Sequence, residues 1–362
     1  MGSTASSTTM DLAPVSVLSI DVGALTQDIL FWNGSYATSF KLVMPSPTQI
    51  LAARVRKATS GGRDILLYGE TMGGGPVNRA IRDHLGEDLG VAMTERAART
   101  IRDDLERVAA MGVEIVEEDE VEELGLREDV TVLETRDVNG DVIRTVAKAY
   151  GLHLEPLVVA VGVEDHGTSD GPQESDRVIR FDMFQRALPT TADGMAYEEP
   201  PSRFTRMVAV KRTLGSDFPE THHLVMDSKV AALFGAASVH VDEKVVAVDV
   251  GNGHTTGGSL VGGQLTGLFE HHTRMLTQEK AADMVARFQL GELNNEEVFS
   301  TGGHGCHVTD PIGRTNIVVT GPRRTDLFVD DPPEVTFVDP HGDTMITGNV
   351  GLTEAARSRF DL

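Results

Sequence analysis

The sequence predicts an α/β protein of two similar lobes, each built on a mixed sheet covered by helices. Three observations carry this. The segments Val17–Leu30 and Val245–Thr256 follow one formula: an apolar run ending in Asp-Val-Gly, a short turn of small residues, then a Thr and a second strand-like run. An order of three strands, helix, strand, helix recurs twice, with insertions, which is the pattern of layered α/β architecture. No short-period tandem repeat accompanies it, so the duplication is one of lobes.

Closely spaced strand signals at 16–22, 28–32 and 37–43 predict an antiparallel meander. Ser46-Pro47 starts a helix to about Lys57. A strand at 64–69 leads into Met72-Gly73-Gly74-Gly75-Pro76 and a helix over 77–85. A longer helix is expected over 94–110 and a strand over 113–117. The Asn139-Gly140 pair predicts a hairpin within 129–147. The apolar run 157–163 reads as a buried central strand, ending at Glu164-Asp165-His166-Gly167. A helix over 174–187 and an irregular stretch with Pro189, Pro200 and Pro201 follow. The Ala-rich 227–237 reads as a connecting helix. The second half has strands at 245–250, 255–261 and 264–270, a helix over 276–289, strands at 316–320 and 335–338, and a terminal helix over 350–359. The expected division is a disordered start (1–12), a first lobe with insertions and the connecting helix (13–238), and a second lobe with the closing helix (239–362).

The 362 residues carry 55 acidic and 32 basic side chains, a net charge of −23. A field of that sign argues against nucleic acid and anionic membranes as partners. The acidic run 117–123 reads as a solvated face. Cys306 is the only cysteine, which excludes an intramolecular disulfide and suits a reducing cytoplasm. It also excludes a cluster held by several thiolates of one chain. Met1–Thr9 lacks the basic and apolar regions of a secretory signal. No apolar run reaches the roughly 18 residues that suggest a membrane span.

The two hairpins carry the chemistry. A Gly-rich turn presents backbone N–H groups to an anion, and Gly23, Gly251 and Gly253 allow close approach. Asp21 and Asp249, each ending an apolar strand, suit Mg²⁺ held through water, or orient an attacking water or hydroxyl. Thr26, Gln27, Thr255 and Thr256 offer donors to phosphate oxygens; His254 either donates to phosphate or packs. Facing each other, the hairpins would clamp a nucleotide polyphosphate. Glu164, Asp165 and His166 lie at the strand end where open α/β sheets place ligands, and Asp165 is the acid/base candidate among them. Gly302-Gly303-His304-Gly305-Cys306-His307 reads as a Gly-rich ligand loop rather than a metal site, because His-x-Cys-His is not a common zinc spacing. Cys306 as a nucleophile beside His304 or His307 is the minor alternative.

The hairpins resemble the phosphate-1 and phosphate-2 motifs of the superfamily of actin, sugar and acetate kinases and chaperone ATPases. Met226–Ala236 resembles its connecting helix, Gly348-Asn349-Val350-Gly351-Leu352 its closing helix, and Ile317–Arg324 its adenosine motif, with Pro322 in place of the usual second Gly. The resemblance implies a two-lobed, ribonuclease-H-like (actin-like ATPase) fold with duplicated mixed sheets. It also implies ATP and Mg²⁺ as cofactors, Asp249 as the better base candidate, and a base subsite at Gly321. The Pro322 departure puts adenine in question. The implied functions are a small-molecule kinase with an unknown acceptor, an ATPase that switches a partner protein, or a non-catalytic nucleotide binder. Asp21–Leu30, Leu42–Thr48, Met72–Pro76, Glu164–Gly167 and Gly302–Cys306 together resemble a mainly archaeal family labelled "putative pyruvate formate-lyase activating enzyme". Radical activation of that kind needs three closely spaced cysteines, so the sequence rejects the activity in that label.

Overall fold

The structure is a computed structural model that describes residues 14–168, 176–240 and 242–362. The start expected to be disordered lies outside the described residues. Strands β1 (Val17–Val22), β2 (Thr26–Trp32) and β3 (Phe40–Pro45) form the expected antiparallel meander. The chain then leaves to build a separate sheet from β4 (Asp64–Gly69), β5 (Val91–Thr94), β6 (Val113–Val116) and β7 (Val130–Thr135). All neighbours in this sheet are parallel, in the order β6-β5-β4-β7. It returns with β8 (Val158–Val163), β9 (Ala196–Tyr197) and β10 (His222–Asp227), which complete the order β3-β2-β1-β8-β10-β9.

The second half repeats the first. Strands β11 (Lys244–Val250), β12 (His254–Val261) and β13 (Gln264–His272) form a meander. Strand β14 (Gly305–Val308) extends its edge, while β15 (Ile317–Thr320) and β16 (Val335–Phe337) add in parallel beside β11, giving β14-β13-β12-β11-β15-β16. In both sheets an antiparallel hairpin sits beside a parallel strand. Asp21 lies between Asp28 and Gly162, and Asp249 between Thr256 and Thr320. The two aspartates thus occupy equivalent register positions, and the fold is the duplicated, two-lobed ribonuclease-H-like plan.

Two expected elements differ. Asn139-Gly140 is not a hairpin turn: Asn139 caps the helix Gly140–Ala149 by accepting from Val142 N–H at 3.1 Å. Asn serves caps as well as turns, and Ile143 and Ala147, four apart, bury one helical face. The helix expected over 94–110 is two short ones, Glu95–Ala98 and Leu105–Ala109. They are separated where Asp104 takes the second cap, accepting from Arg107 N–H.

The connecting helix Ser228–Ala237 and the closing helix Thr347–Phe360 lie in the core shared by the two repeated sheets, among Val17, Leu224, Met226, Val245 and Ala247. They cross at backbone contact. A Cβ on Gly235 would overlap the Thr347 carbonyl, and one on Gly351 the Ala231 carbonyl. Asn349, fully buried, donates its amide to the Ser19 and Asp28 carbonyls at 2.9 and 2.8 Å, which pins the closing helix to the first hairpin. Because neither backbone can yield without moving a helix, Gly351→Ala is expected to destabilise the fold by about 2 kcal/mol or more, as overpacking does. Urea unfolding of parent and variant measures this; equal midpoints would contradict the tight crossing.

Candidate functional site

A cleft of about 1040 Å³ opens between the ends of the two hairpins. The turns are closed by the same bond: Gly23 N–H donates to Thr26 O and Gly251 N–H to His254 O, each at 2.9 Å. Asp21, Gly23, Thr26, Asp165, Asp249, Gly251, Gly253, His254 and Gly321 all line the cleft.

Gln27, Thr255 and Thr256 are absent from that lining, and strand alternation is the reason. Gln27 sits on the face of β2 opposite Thr26 and Asp28, and its amide donates to Asp137 O at 2.9 Å. Thr255 shares a hydroxyl bond with Thr273, which in turn donates to Gly251 O. These two threonines brace the second turn from behind. Thr256 is buried across from Asp249.

Each aspartate occupies space that a side chain would need. A Cβ on Gly348, at the start of the closing helix, would collide with the Asp21 carboxylate, and one on Gly321 would lie 2.6 Å from Asp249 Oδ1. Asp21 Oδ1 is buried without a hydrogen-bond partner among the described residues, as is Asp28 Oδ1. Burial, then the charge of Asp28, holds the Asp21 carboxyl well above its usual range. Burial pushes Asp28 up to about 7, with Asp343 adding to it and the Thr26 hydroxyl opposing. Lys229, at the first turn of the connecting helix, reaches Asp249 at 3.4 Å. Burial works against its charge, but Asp249 and then Glu164 more than offset this and raise its pKa. The cleft floor therefore holds two sparsely bonded carboxylates and one fixed ammonium. Backbone donors of two turns face the same space. This set suits a hard cation together with a polyanion.

Asp165 is held at both carboxylate oxygens. They accept from Gly167 and Met207 N–H, each at 2.9 Å, so Asp165 anchors the loop after β8. Glu164 beside it accepts from His254 Nδ1 at 3.0 Å. Burial alone would raise the Glu164 carboxyl, yet its His254 partner holds it well below the usual range. The Gly73–Gly75 turn also lines the cleft, with Gly73 N–H held by Asp137. Asp137 in turn grips Arg206 at 2.7 Å.

Beneath the cleft Arg180, 1% exposed, joins both repeated sheets. Its Nη2 meets Asp227 at 2.9 Å and its Nη1 meets Glu270 at 2.7 Å. Asp227 also caps the connecting helix through Lys229 N–H. The sequence reading missed Asp28, Lys229 and Gly348 as cleft residues, and Arg180 and Glu270 beneath it. Asp28 was legible, because it follows Thr26 by two residues and must share its face. Arg180 gave no local signal.

Residues 302–307 do not line the cleft. Cys306 is 4% exposed in the core of the second sheet, its thiol directed at Leu293 O and pushed up to about 12 by burial. A thiol so placed is not an activated nucleophile. Native protein is expected to leave Cys306 unreacted with a disulfide reagent over the time in which urea-unfolded protein reacts completely; equal rates would contradict this placement.

No curated protein matches the chain. Among solved structures it is similar to a Bacteroides thetaiotaomicron protein with actin-like ATPase fold and unknown function, at 8% identity and TM-score 0.37, covering 94% of this chain and 98% of that one. It is also similar to the Aquifex aeolicus PPX-GPPA enzyme (11%, 0.30, 95% and 92%) and to acetate kinase from Entamoeba histolytica (10%, 0.29, 66% and 88%). Residues 72–326 match the family described as "Putative pyruvate format-lyase activating enzyme (DUF1786)", and the chain belongs to that family.

Proposed function

We propose that this family member binds a magnesium nucleotide, ATP in the first instance, between its two hairpins and transfers or hydrolyses the terminal phosphoryl group. One observation carries the reading: Asp21 and Asp249 stand at equivalent ends of duplicated strands, each beside a glycine turn, with their carboxylates facing one cleft. The activity in the family's description is not part of the proposal, since one buried cysteine cannot hold the cluster that radical activation needs.

The donors fit magnesium. Asp21 and Asp249 offer hard oxygens, and the unbonded Asp21 Oδ1 supports a cation there. When bound, magnesium neutralises polyphosphate charge and fixes the terminal group for in-line displacement. The chain's own residues do the rest. With the Gly23 and Gly251 N–H groups spent on closing the turns, the backbone N–H groups of Ala24, Leu25, Asn252 and Gly253 hold phosphate oxygens. Lys229 supplies a fixed positive charge beside them. Asp249 is the group for orienting the attacking hydroxyl or water, and the nucleoside would lie along the Gly321–Pro322 wall of the cleft. Motion of the two lobes about the crossed helices would exclude water from the cleft.

Two acceptor classes remain within this reading. A small-molecule kinase releases ADP only with its acceptor present, while a switch ATPase releases it slowly alone and faster with a partner. Asp21→Ala and Asp249→Ala are each expected to weaken Mg²⁺-dependent ATP binding by about 100-fold or more, the scale on which removing a supporting metal residue acts, with unchanged circular dichroism. Parent-like affinity in both variants would end the two-hairpin reading.

A further inference from the structure

Histidines from distant parts of the chain converge where the loop after β8 meets the second hairpin. Glu164 and His166 follow β8, His254 opens β12, Glu270 lies on β13, and His304 precedes β14. The main-chain N–H of His304 donates to the main-chain carbonyl of Glu270 at 2.9 Å, which fixes that loop on β13. Ring centroids of His254 and His304 are 4.7 Å apart, and those of His166 and His304 5.4 Å. One ligating atom from each of His166, His254 and His304 lies within 4.8 Å of the others. Glu164, His254 and Glu270 form a second group within the same limit.

Ordinary packing does not account for this. His304 is 3% exposed, and neither of its ring nitrogens has a hydrogen-bond partner among the described residues. His254 Nε2 is likewise buried without one. Leaving buried polar nitrogens unpaired is costly unless something else engages them. Glu164 serves two of the rings, at 3.0 Å from His254 Nδ1 and 3.3 Å from His166 Nε2, while Glu270 lies 3.4 Å from His304 Nδ1 without a hydrogen bond to it. A carboxylate on one imidazole nitrogen turns the other toward a metal ion.

We propose that His166, His254 and His304 bind a zinc-like divalent transition-metal ion at the foot of the cleft, with Glu164 orienting His254. Imidazole donors select zinc, cobalt, nickel or iron over magnesium and calcium, which take oxygen. Three protein ligands leave a coordination position open, as in catalytic rather than structural sites. Glu164, His166 and His254 line the cleft, so that position is within reach of whatever the cleft holds. The ion would also tie the first sheet, through the loop after β8, to the second. This site is separate from the Asp21–Asp249 pair and does not depend on nucleotide binding. It reverses the expectation for residues 302–307: the local His-x-Cys-His spacing is irrelevant, because Cys306 packs in the core and His304 finds its partners far away in sequence.

The test uses the full, tag-free chain, stripped with chelator and titrated with Co²⁺ alone, without nucleotide. The parent is expected to bind one equivalent with visible d–d absorption that Zn²⁺ displaces. His166→Ala, His254→Ala and His304→Ala are each expected to weaken Co²⁺ binding roughly 100-fold, while His307→Ala, beyond Cys306 on β14, stays within about twofold of the parent. The His166 side chain is 39% exposed, so its variant keeps the test decisive if burial makes His304→Ala unfold. No Co²⁺ absorption with the parent at tenfold excess, or parent-like affinity in His166→Ala, would overturn the site. With no nucleotide present, such a failure leaves the magnesium-nucleotide reading untouched.

Discussion

The contact between the connecting and closing helices sets the geometry on which the cleft depends. Gly235 and Gly351 let the two helices meet backbone to backbone. Asn349 then hangs the closing helix from the Ser19 and Asp28 carbonyls, so the N-terminal turn of that helix arrives where Gly348 accommodates the Asp21 carboxylate. On the other side, the connecting helix carries Lys229 to Asp249. A shift at the crossing would therefore move Gly348 and Lys229 away from the aspartates they face. A helix pair in contact at bare backbone transmits displacement instead of absorbing it, because close-packed interiors have little slack.

The second constraint is charge. The protein carries a net charge of −23, and its cleft floor gathers buried carboxylates around Lys229. Asp21 and Asp28 are buried as cross-strand neighbours, an arrangement that destabilises the fold unless something positive joins them. Deeper, Arg180 bridges Asp227 and Glu270, so it couples the cap of the connecting helix to the sheet that carries the second hairpin. Removing one member of a buried charged network is strongly destabilising because its partners are left unpaired. The metal-ready histidines lie on the rim of this network.

Much of this was legible in the sequence, for identifiable reasons. The duplicated Asp-Val-Gly hairpins are local in sequence, and the strand period of two places Asp21 and Asp249 correctly at their ends. The same period shows why Gln27 misses the cleft while Asp28 reaches it. The buried strand 157–163 read correctly because a run apolar on both faces belongs in the middle of a sheet. Asn139-Gly140 failed because the pair serves a helix cap as well as a turn, and Asp217, 77 residues away, holds the Gly140 N–H in the helical form. The all-parallel sheet of β4–β7 was hidden because its strands are short and its helices broken. Arg180, Glu270 and the partnership of His166 with His304 were beyond local reading altogether, since only the tertiary fold brings β8, β13 and the loop before β14 together.

The most direct measurement is calorimetric titration of the unaltered chain with ATP in the presence of Mg²⁺, with ATP in EDTA, and with AMP and Mg²⁺. A clamp built from two phosphate turns and an aspartate pair predicts one MgATP per chain, with much weaker binding once Mg²⁺ is removed or the β- and γ-phosphates are absent. Absence of heat with millimolar MgATP at low and high salt, or AMP binding as tightly as ATP, would contradict it.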